Sequence, residues 1–277
     1  MTGQGLSIFG LPEPAFRFGT FVAVLLAMMV FEALWPRRAR RHARLRRWAT
    51  NLGVLGSSYL AVALVTLVVP VTAVLAAIWA QNAGWGLFNV LDWPVWLEGV
   101  LAFLVLDFVI WGQHLIMHKV PFLWRAHRVH HADHDLDAST AVRFHPLEIL
   151  LSIGVKALAV IVLGAPALVV VLFEAFVNAA ALFNHANLNL PPWLDRWLRP
   201  VVVTPDMHLV HHSAKRAETN SNYGFALSIW DRLFRTYVRE AEGGRDGMTV
   251  GLAQWQDDRP TRLGFSLLLP FVGTKRD

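Results

Sequence analysis

The chain has 277 residues, of which 55% are hydrophobic and 16% are charged, and its mean hydropathy is +0.42. Soluble domains carry roughly 25% charged residues, so the composition and the long apolar runs predict an integral membrane protein. The formal charge of +5 does not indicate nucleic-acid binding, because the strongest basic run directly follows an apolar segment. The absence of cysteine excludes disulfides, thiolate zinc sites and thiolate-bound iron–sulfur clusters.

Two apolar segments and a basic run make up the first part of the chain. Residues 16–34 are long enough to span the hydrocarbon of a bilayer. The basic run that follows, Arg37–Arg47, predicts a cytoplasmic loop, because loops on that side carry an excess of arginine and lysine. Residues 52–80 predict a second, long membrane helix that tilts or bends at Pro70. No cleavable signal peptide is expected, since the basic run follows the first apolar segment.

Three further apolar segments follow. Residues 95–113 predict a membrane helix with His114 at its exit, and residues 147–163 and 167–183 flank a Gly-Ala-Pro turn and predict a helical hairpin. With the basic run in the cytoplasm, successive crossings bring every histidine-rich segment and the polar region after residue 191 to the cytoplasmic face. The prediction is an all-α, multi-pass integral membrane protein with about four spans or half-spans and a cytoplasmic histidine-rich cap.

Histidines are concentrated in one HxxxH cluster and two HxxHH clusters. These fifteen residues hold eight of the twelve histidines of the chain, namely His114, His118, His127, His130, His131, His208, His211 and His212. Residues three or four apart share a helix face, so each cluster presents its imidazoles as one stripe. Imidazole suits iron, zinc, copper or nickel, and eight rings exceed the needs of one ion, so the clusters predict a site for two metal ions. A metalloprotease of the HExxH type is excluded, because Leu115 stands where that motif needs glutamate.

Several motifs around these clusters resemble the fatty acid hydroxylase/sterol desaturase superfamily of membrane di-iron oxygenases. The resemblance covers roughly residues 95–240 and is weak over the first two membrane segments. Besides the three clusters it is carried by Asp107-Phe108, Leu123-Trp124-Arg125, Thr140–Pro146, Phe183–Asn187, Thr204–His208 and Asn222–Tyr237. One departure is Leu115, since many members carry arginine after the first histidine.

The resemblance implies two iron ions held by the clustered histidines, which use O2 and two electrons to hydroxylate or desaturate a lipid. The lipid, a fatty acyl chain or a sterol-like molecule, would enter from the bilayer. Electrons would come from an external donor (a reductase, ferredoxin or cytochrome), because no fused donor domain is evident. Zinc as a substitute metal, a membrane zinc hydrolase and a non-catalytic metal-binding protein stay open as alternatives.

Further side chains are candidates for the same site, although no catalytic residue beyond the metal ligands is predicted. The resemblance implies His185 as a ninth ligand, because members often carry a ligand in this FxHxN segment. His145 and His134 are candidate ligands or neighbours of the ligands. Three polar residues of the membrane segments are candidate hydrogen-bond partners of metal-bound imidazoles: Asp107, Glu174 and Asn178.

The predicted organisation has three parts. Residues 1–94 hold the N-terminal membrane helices and the basic loop, residues 95–240 hold the di-iron domain that the resemblance implies, and residues 241–277 form a cytoplasmic tail. The arginine- and alanine-rich composition indicates a bacterial inner membrane.

Overall fold

A computed structural model describes residues 6–69, 72–91 and 93–273. Within these ranges the regular secondary structure is almost entirely helical, and the strands are one short antiparallel pair, β1 (Ser7–Ile8) and β2 (Leu11–Pro12). The α-helices are α1 (Glu13–Leu34), α2 (Arg44–Thr66), α3 (Ala73–Ala83), α4 (Leu87–Val90), α5 (Val95–Lys119), α6 (Pro121–His131), α7 (Pro146–Leu163), α8 (Ala167–His185), α9 (Pro192–Leu198), α10 (Pro205–His211), α11 (Arg216–Thr219), α12 (Ile229–Leu233), α13 (Gly244–Gly247) and α14 (Leu263–Leu268). Short 3-10 helices lie at Ala138–Val142, Arg259–Thr261 and Leu269–Phe271.

Five helices of the described ranges are long and apolar enough to cross a membrane, namely α1, α2, α5, α7 and α8. This confirms an all-α, multi-pass membrane protein, with one more candidate span than the four expected. The two predicted helices on either side of the Gly-Ala-Pro turn are also present, as α7 and α8 are joined by the turn that begins at Gly164. Gly164 ends α7 at φ +67°, a left-handed conformation in which glycine avoids the strain that a Cβ would cause.

The prediction for the second apolar segment was wrong. Residues 52–80 do not form one helix, because α2 ends at Thr66 and α3 begins at Ala73. The Thr72 hydroxyl accepts a hydrogen bond from the backbone N–H of Leu75 at 3.2 Å and so caps the start of a separate helix. With 11 residues α3 is too short to cross a bilayer, and it packs against α7. The bend predicted at Pro70 lies outside the described residues.

The third membrane helix is longer than predicted and carries the first histidine cluster. It continues past residue 113 to Lys119, so His114 and His118 both lie within α5. Pro121 occupies the first turn of α6, where its missing N–H costs no helical hydrogen bond. The second cluster therefore lies on a new helix, which is separated from α5 by one residue, Val120.

The basic run lies against the histidine-rich part of the protein. Arg37 pairs with Asp206 at 2.9 Å, the backbone N–H of Arg41 donates to Asp135, and Arg47 is buried against Asp133 and Asp137. These contacts place the loop between α1 and α2 over the segment that follows α6 and over the first turn of α10. The basic run therefore tethers the membrane helices to the cap through buried ion pairs.

Candidate metal centre

Nine histidines from four helical segments meet at the end of the bundle. Within the part of the chain that the structure describes, they form two groups that could each hold a metal ion. In each group one nitrogen of every ring lies within 4.8 Å of those of the other rings, and no ring is more than 7% exposed. The first group is His114, His118, His127, His131 and His211, and the second is His130, His185, His208 and His212.

The two HxxHH clusters are divided between the groups in a reciprocal way. On α6, the residues four apart, His127 and His131, join the first group, and His130 between them joins the second. At α10 the residues four apart, His208 and His212, join the second group, while His211 joins the first. Residues four apart share a helix face, whereas a neighbour in sequence points about a quarter-turn away. The spacing HxxHH therefore lets one short helix serve two adjacent ions.

The nitrogen–nitrogen distances fit metal coordination. His127 Nε2 lies 3.0 Å from His114 Nε2 and 3.2 Å from His131 Nε2. In the second group His185 Nε2 lies 3.0 Å from the Nε2 atoms of both His130 and His208. Two nitrogens bound at right angles to one ion, each at about 2.1 Å, are about 3.0 Å apart. The distances in the two groups thus match those between neighbouring ligands of one ion.

The hydrogen bonds at the opposite edge of the rings show which nitrogen faces the centre. The Nδ1 atoms of His114 and His127 each lie 2.7 Å from an oxygen, that of the Tyr223 carbonyl and of the Glu148 carboxylate respectively. These oxygens only accept, so both Nδ1 atoms carry the proton, and in neutral rings both Nε2 atoms present lone pairs. Two lone pairs facing each other at 3.0 Å repel unless positive charge lies between them. A bound metal ion would supply that charge.

Burial keeps five of the rings outside the membrane helices neutral. It lowers the pKa of His211 to about 3, against a hydrogen bond to the Ser221 carbonyl that raises it. Burial, reinforced by the neighbouring imidazoles, also lowers the pKa of His130, His131, His208 and His212 well below the ordinary value. Neutral imidazole is the form that binds metals, so these rings are ready to act as ligands at neutral pH.

Glu148 is a functional residue that the sequence analysis missed. It lies in the first turn of α7, is 5% exposed, and accepts the 2.7 Å hydrogen bond from His127 Nδ1. Carboxylates that accept from a ligating histidine fix its ring orientation and raise its basicity. The signal that could have found it is the Pro146-x-Glu148 start of a helix directly after the conspicuous Arg143-Phe144-His145 segment.

We expect Glu148→Ala to weaken metal binding by about 10–100-fold, because the His127 ring loses the partner that orients it. Glu148→Gln keeps an acceptor oxygen at the same position, so the loss should be smaller. Competition with a chelator of known affinity, followed by metal analysis, measures the effect. Equal metal affinity in the alanine variant and the unchanged protein would contradict a role for Glu148 in orienting the ligand.

His134 and His145, the other two candidate ligands, lie outside both groups. His134 Nε2 lies 2.5 Å from the Trp255 carbonyl oxygen, and the centroid of its ring lies 5.3 Å from that of His42. His145 caps α7, as its Nδ1 accepts from the backbone N–H of Leu147 and its Nε2 lies 3.2 Å from the Leu267 carbonyl. Both nitrogens of His145 are therefore engaged with the backbone. The structure gives these two residues anchoring positions rather than ligand positions.

The three polar candidates of the membrane helices also contact groups other than the histidines. Asp107 accepts from the Trp230 indole N–H at 2.7 Å, which ties α5 to the cap. Glu174 pairs with Lys156 and Arg17. Asn178 lines a large cavity. None of these contacts, within the described ranges, reaches a histidine of either group.

The cavity extends from the metal centre into the helix bundle and has a volume of about 1190 Å³. It is lined by His114, Glu148, Phe144 and Phe225 beside the histidines, and elsewhere mostly by apolar side chains of α1, α2, α3 and α5, with further residues from α7 and α8. Pockets for small molecules usually measure roughly 300–1,000 Å³ and are mainly apolar. The cavity is thus large enough for a lipid chain and leads to the first histidine group.

Comparisons with known proteins agree with this arrangement. The family model described as fatty acid hydroxylase matches residues 99–236, about half of the chain. An ornithine lipid hydroxylase of Rhizobium tropici is 26% identical over 223 residues, which cover 78% of this chain and 63% of the relative. Alkylglycerol monooxygenase of Homo sapiens is 31% identical over 170 residues, covering 59% of this chain and 35% of the relative. A fatty acid hydroxylase of a Lecanicillium species is 29% identical over 166 residues, which cover 55% of this chain and 45% of the relative.

The match to these relatives is partial. The chain spans less than two thirds of the length of each of the three. No solved structure matches the chain. The matched region nonetheless contains all three histidine clusters and His185, together with the flanking motifs that carry the resemblance apart from Tyr237. The chain belongs to the fatty acid hydroxylase/sterol desaturase superfamily.

Proposed function

We propose that the protein is a membrane lipid hydroxylase that uses two iron ions, O2 and two electrons from an external donor. The observation that carries this proposal is the contact between the first histidine group and the apolar cavity, which meet at His114. Nine imidazoles without a carboxylate ligand would hold the ions, and iron bound there would supply the oxidising power that attack on an unactivated C–H bond needs. The names of the relatives, hydroxylases and a monooxygenase, favour hydroxylation over desaturation.

The side chains around the centre would position the lipid and exclude water. The Phe144 ring stacks on His130 at 4.4 Å between centroids, and the Phe225 ring lies 4.8 Å from that of His114. These rings close the polar ligand shell on the side of the cavity. An acyl chain in the cavity would therefore meet apolar surface up to the ligands, which orients one C–H bond and keeps the reaction out of bulk water.

The test is oxygen incorporation into a lipid. Protein purified in detergent is loaded with iron, supplied with a reductant and isotopically labelled O2, and incubated with lipid extract of the host. We expect oxygen uptake and a lipid that gains one labelled oxygen atom. Protein loaded with zinc serves as the control. Lipid cleavage without oxygen uptake would favour the zinc hydrolase instead, and reversible metal release without any lipid product would favour a metal-binding protein.

We also propose that the metal centre faces the cytoplasm, most simply of a bacterial inner membrane, because the basic run lies at that end. Lys215 is exposed beside the third cluster, whereas Asn82 is exposed near the opposite end of the bundle, where Gly86 packs against Gly164. The chain has no cysteine, so single substitutions give labelling without background. We expect Lys215→Cys to react with a membrane-impermeant thiol reagent only in inverted vesicles, and Asn82→Cys only in intact cells. The reverse pattern would overturn the orientation.

A further inference from the structure

A network of four charged side chains lies on the wall of the cavity. Arg17 donates to Glu13 at 2.8 Å and pairs with Glu174 at 3.1 Å, and Lys156 donates to Glu174 at 2.5 Å. All four residues line the cavity, and they join α1, α7 and α8. Charges inside membrane helices are costly and commonly mark functional sites. None of them takes part in the metal centre.

The two cations are the accessible members of this network. The side chains of Arg17 and Lys156 are 35% and 22% exposed, whereas those of Glu13 and Glu174 are 15% and 9% exposed. Guanidinium has five N–H donors and ammonium has three, and the described contacts of the two cations use only part of them. The network therefore retains donors on its two cations beyond the described contacts, while its two acids are less exposed. That polarity suits a ligand with an anionic oxygen group.

The helices set the distance from this network to the metal centre. Glu148, which bonds to His127, and Lys156 are both on α7 and eight residues apart. At 1.5 Å per residue they are separated by about 12 Å along the helix axis. A lipid whose polar end lay at Arg17 and Lys156 would thus have a carbon well inside its chain at the first histidine group.

We propose that Arg17 and Lys156 form the site that binds the anionic oxygen group, carboxylate or phosphate, of a lipid whose chain extends along the cavity to His114. The proposal rests on the proposed function and adds the substrate class to it: lipids with an anionic polar end. It also implies a counting rule. The oxidised carbon lies at a fixed distance from the polar end, about 12 Å, whatever the total length of the chain.

Binding can be measured without turnover. The full-length protein, without reductant, is kept in an uncharged detergent, and the affinities of hexadecanoate, hexadecyl phosphate and hexadecanol are measured by displacement of radiolabelled hexadecanoate. We expect both anions to bind more tightly than the alcohol. The anion that binds more tightly, hexadecanoate or hexadecyl phosphate, shows whether the site prefers carboxylate or phosphate. Each of the variants Arg17→Gln and Lys156→Gln should lower the affinity for the anions by about tenfold or more, since a hydrogen bond to a charged group is lost. The affinity for hexadecanol should stay the same.

Three variants separate ligand binding from a structural role. Lys119→Gln removes an exposed cation of α5 away from the cavity lining and should leave all affinities unchanged. Lys156→Arg keeps the charge and should retain the preference for anions. Glu174→Gln removes the acid that competes for both cations and should strengthen anion binding. Two results would overturn the proposal and make the network structural. One is a loss of anion affinity in Glu174→Gln as large as in the cation variants. The other is a parallel loss of hexadecanol affinity in the cation variants.

The counting rule is tested with active enzyme and a series of saturated carboxylates of increasing length. Oxidation at one position counted from the carboxyl end supports the proposal, and a position counted from the methyl end overturns it. Failure here is distinct from failure of the proposed function. If the protein bound the anions through Arg17 and Lys156 but never oxidised a lipid, the binding site would be supported and the hydroxylase function would be refuted. If the protein oxidised lipids without preferring anions, the hydroxylase function would be supported and the anion-binding site would be refuted.

Discussion

His130→Ala and His211→Ala should each abolish activity and remove one metal ion per chain. The two residues belong to different groups, so each variant is expected to empty its own site and leave the other filled. Removing a carboxylate that merely orients a ligand costs about 10–100-fold in metal affinity, and removing a ligand should cost more. Metal analysis of purified variants, together with the oxygen-uptake assay, measures both effects.

The size of the loss should differ between the two groups. The second group has four histidines and the first has five, so His130→Ala leaves three ligands and His211→Ala leaves four. We therefore expect the site that holds His130 to lose its ion more completely during dialysis against a chelator. His134→Ala is the matched control, because His134 is also a buried histidine of the cap but lies outside both groups. Full metal content in both ligand variants would refute the two-ion assignment.

The sequence was sufficient to predict the uniformly apolar membrane helices and the histidines that the structure brings close together, but not how these histidines divide into two groups. The spacing of the clusters predicted convergence, because helical periodicity acts over three or four residues. The assignment of His130 to one group and His131 to the other depends on how α6 and α10 face each other, which is a tertiary property. Glu148 was missed for the same reason, since its partner His127 is 21 residues away.

The error in the second membrane segment has a local cause. Average hydrophobicity is continuous across residues 52–80, so a search by length and composition predicts one helix. The break depends on the capping hydroxyl of Thr72, whose hydrogen bond to Leu75 starts α3. A threonine inside an apolar run is a weak signal, because in a membrane helix it can equally bond to its own backbone, as Thr66 does with the Val62 carbonyl.

A second large effect is expected at Arg47, the residue that ties α2 to the cap. Its guanidinium is 1% exposed and binds Asp133 through two hydrogen bonds of 2.8 and 2.7 Å and Asp137 through a third of 2.6 Å. Burial alone would raise the pKa of Asp133, but the charge of Arg47 outweighs it and holds the pKa well below its usual range. Asp133 follows the second histidine cluster by two residues, so this ion network fixes the end of α6.

Arg47→Ala should therefore destabilise the protein by about 3–5 kcal/mol, because it leaves buried carboxylates without their partner. The same change should lower the metal content, since the end of α6 that carries His130 and His131 loses its anchor. Arg47→Lys should recover only part of the stability, because an ammonium cannot form the two parallel bonds to Asp133. Thermal unfolding in detergent and limited proteolysis of the cap measure the loss.

Arg46→Ala is the control for this effect, since it changes the neighbouring residue of the same helix. Arg46 pairs with Asp258 at 3.2 Å, and the two side chains are 44% and 58% exposed. An exposed ion pair contributes about 0–1 kcal/mol, so the midpoint of unfolding should hardly move. If Arg46→Ala and Arg47→Ala shifted the midpoint equally, the stabilisation would come from the total positive charge of the loop. A shift confined to Arg47→Ala would assign it to the buried pairs that hold the second histidine cluster in place.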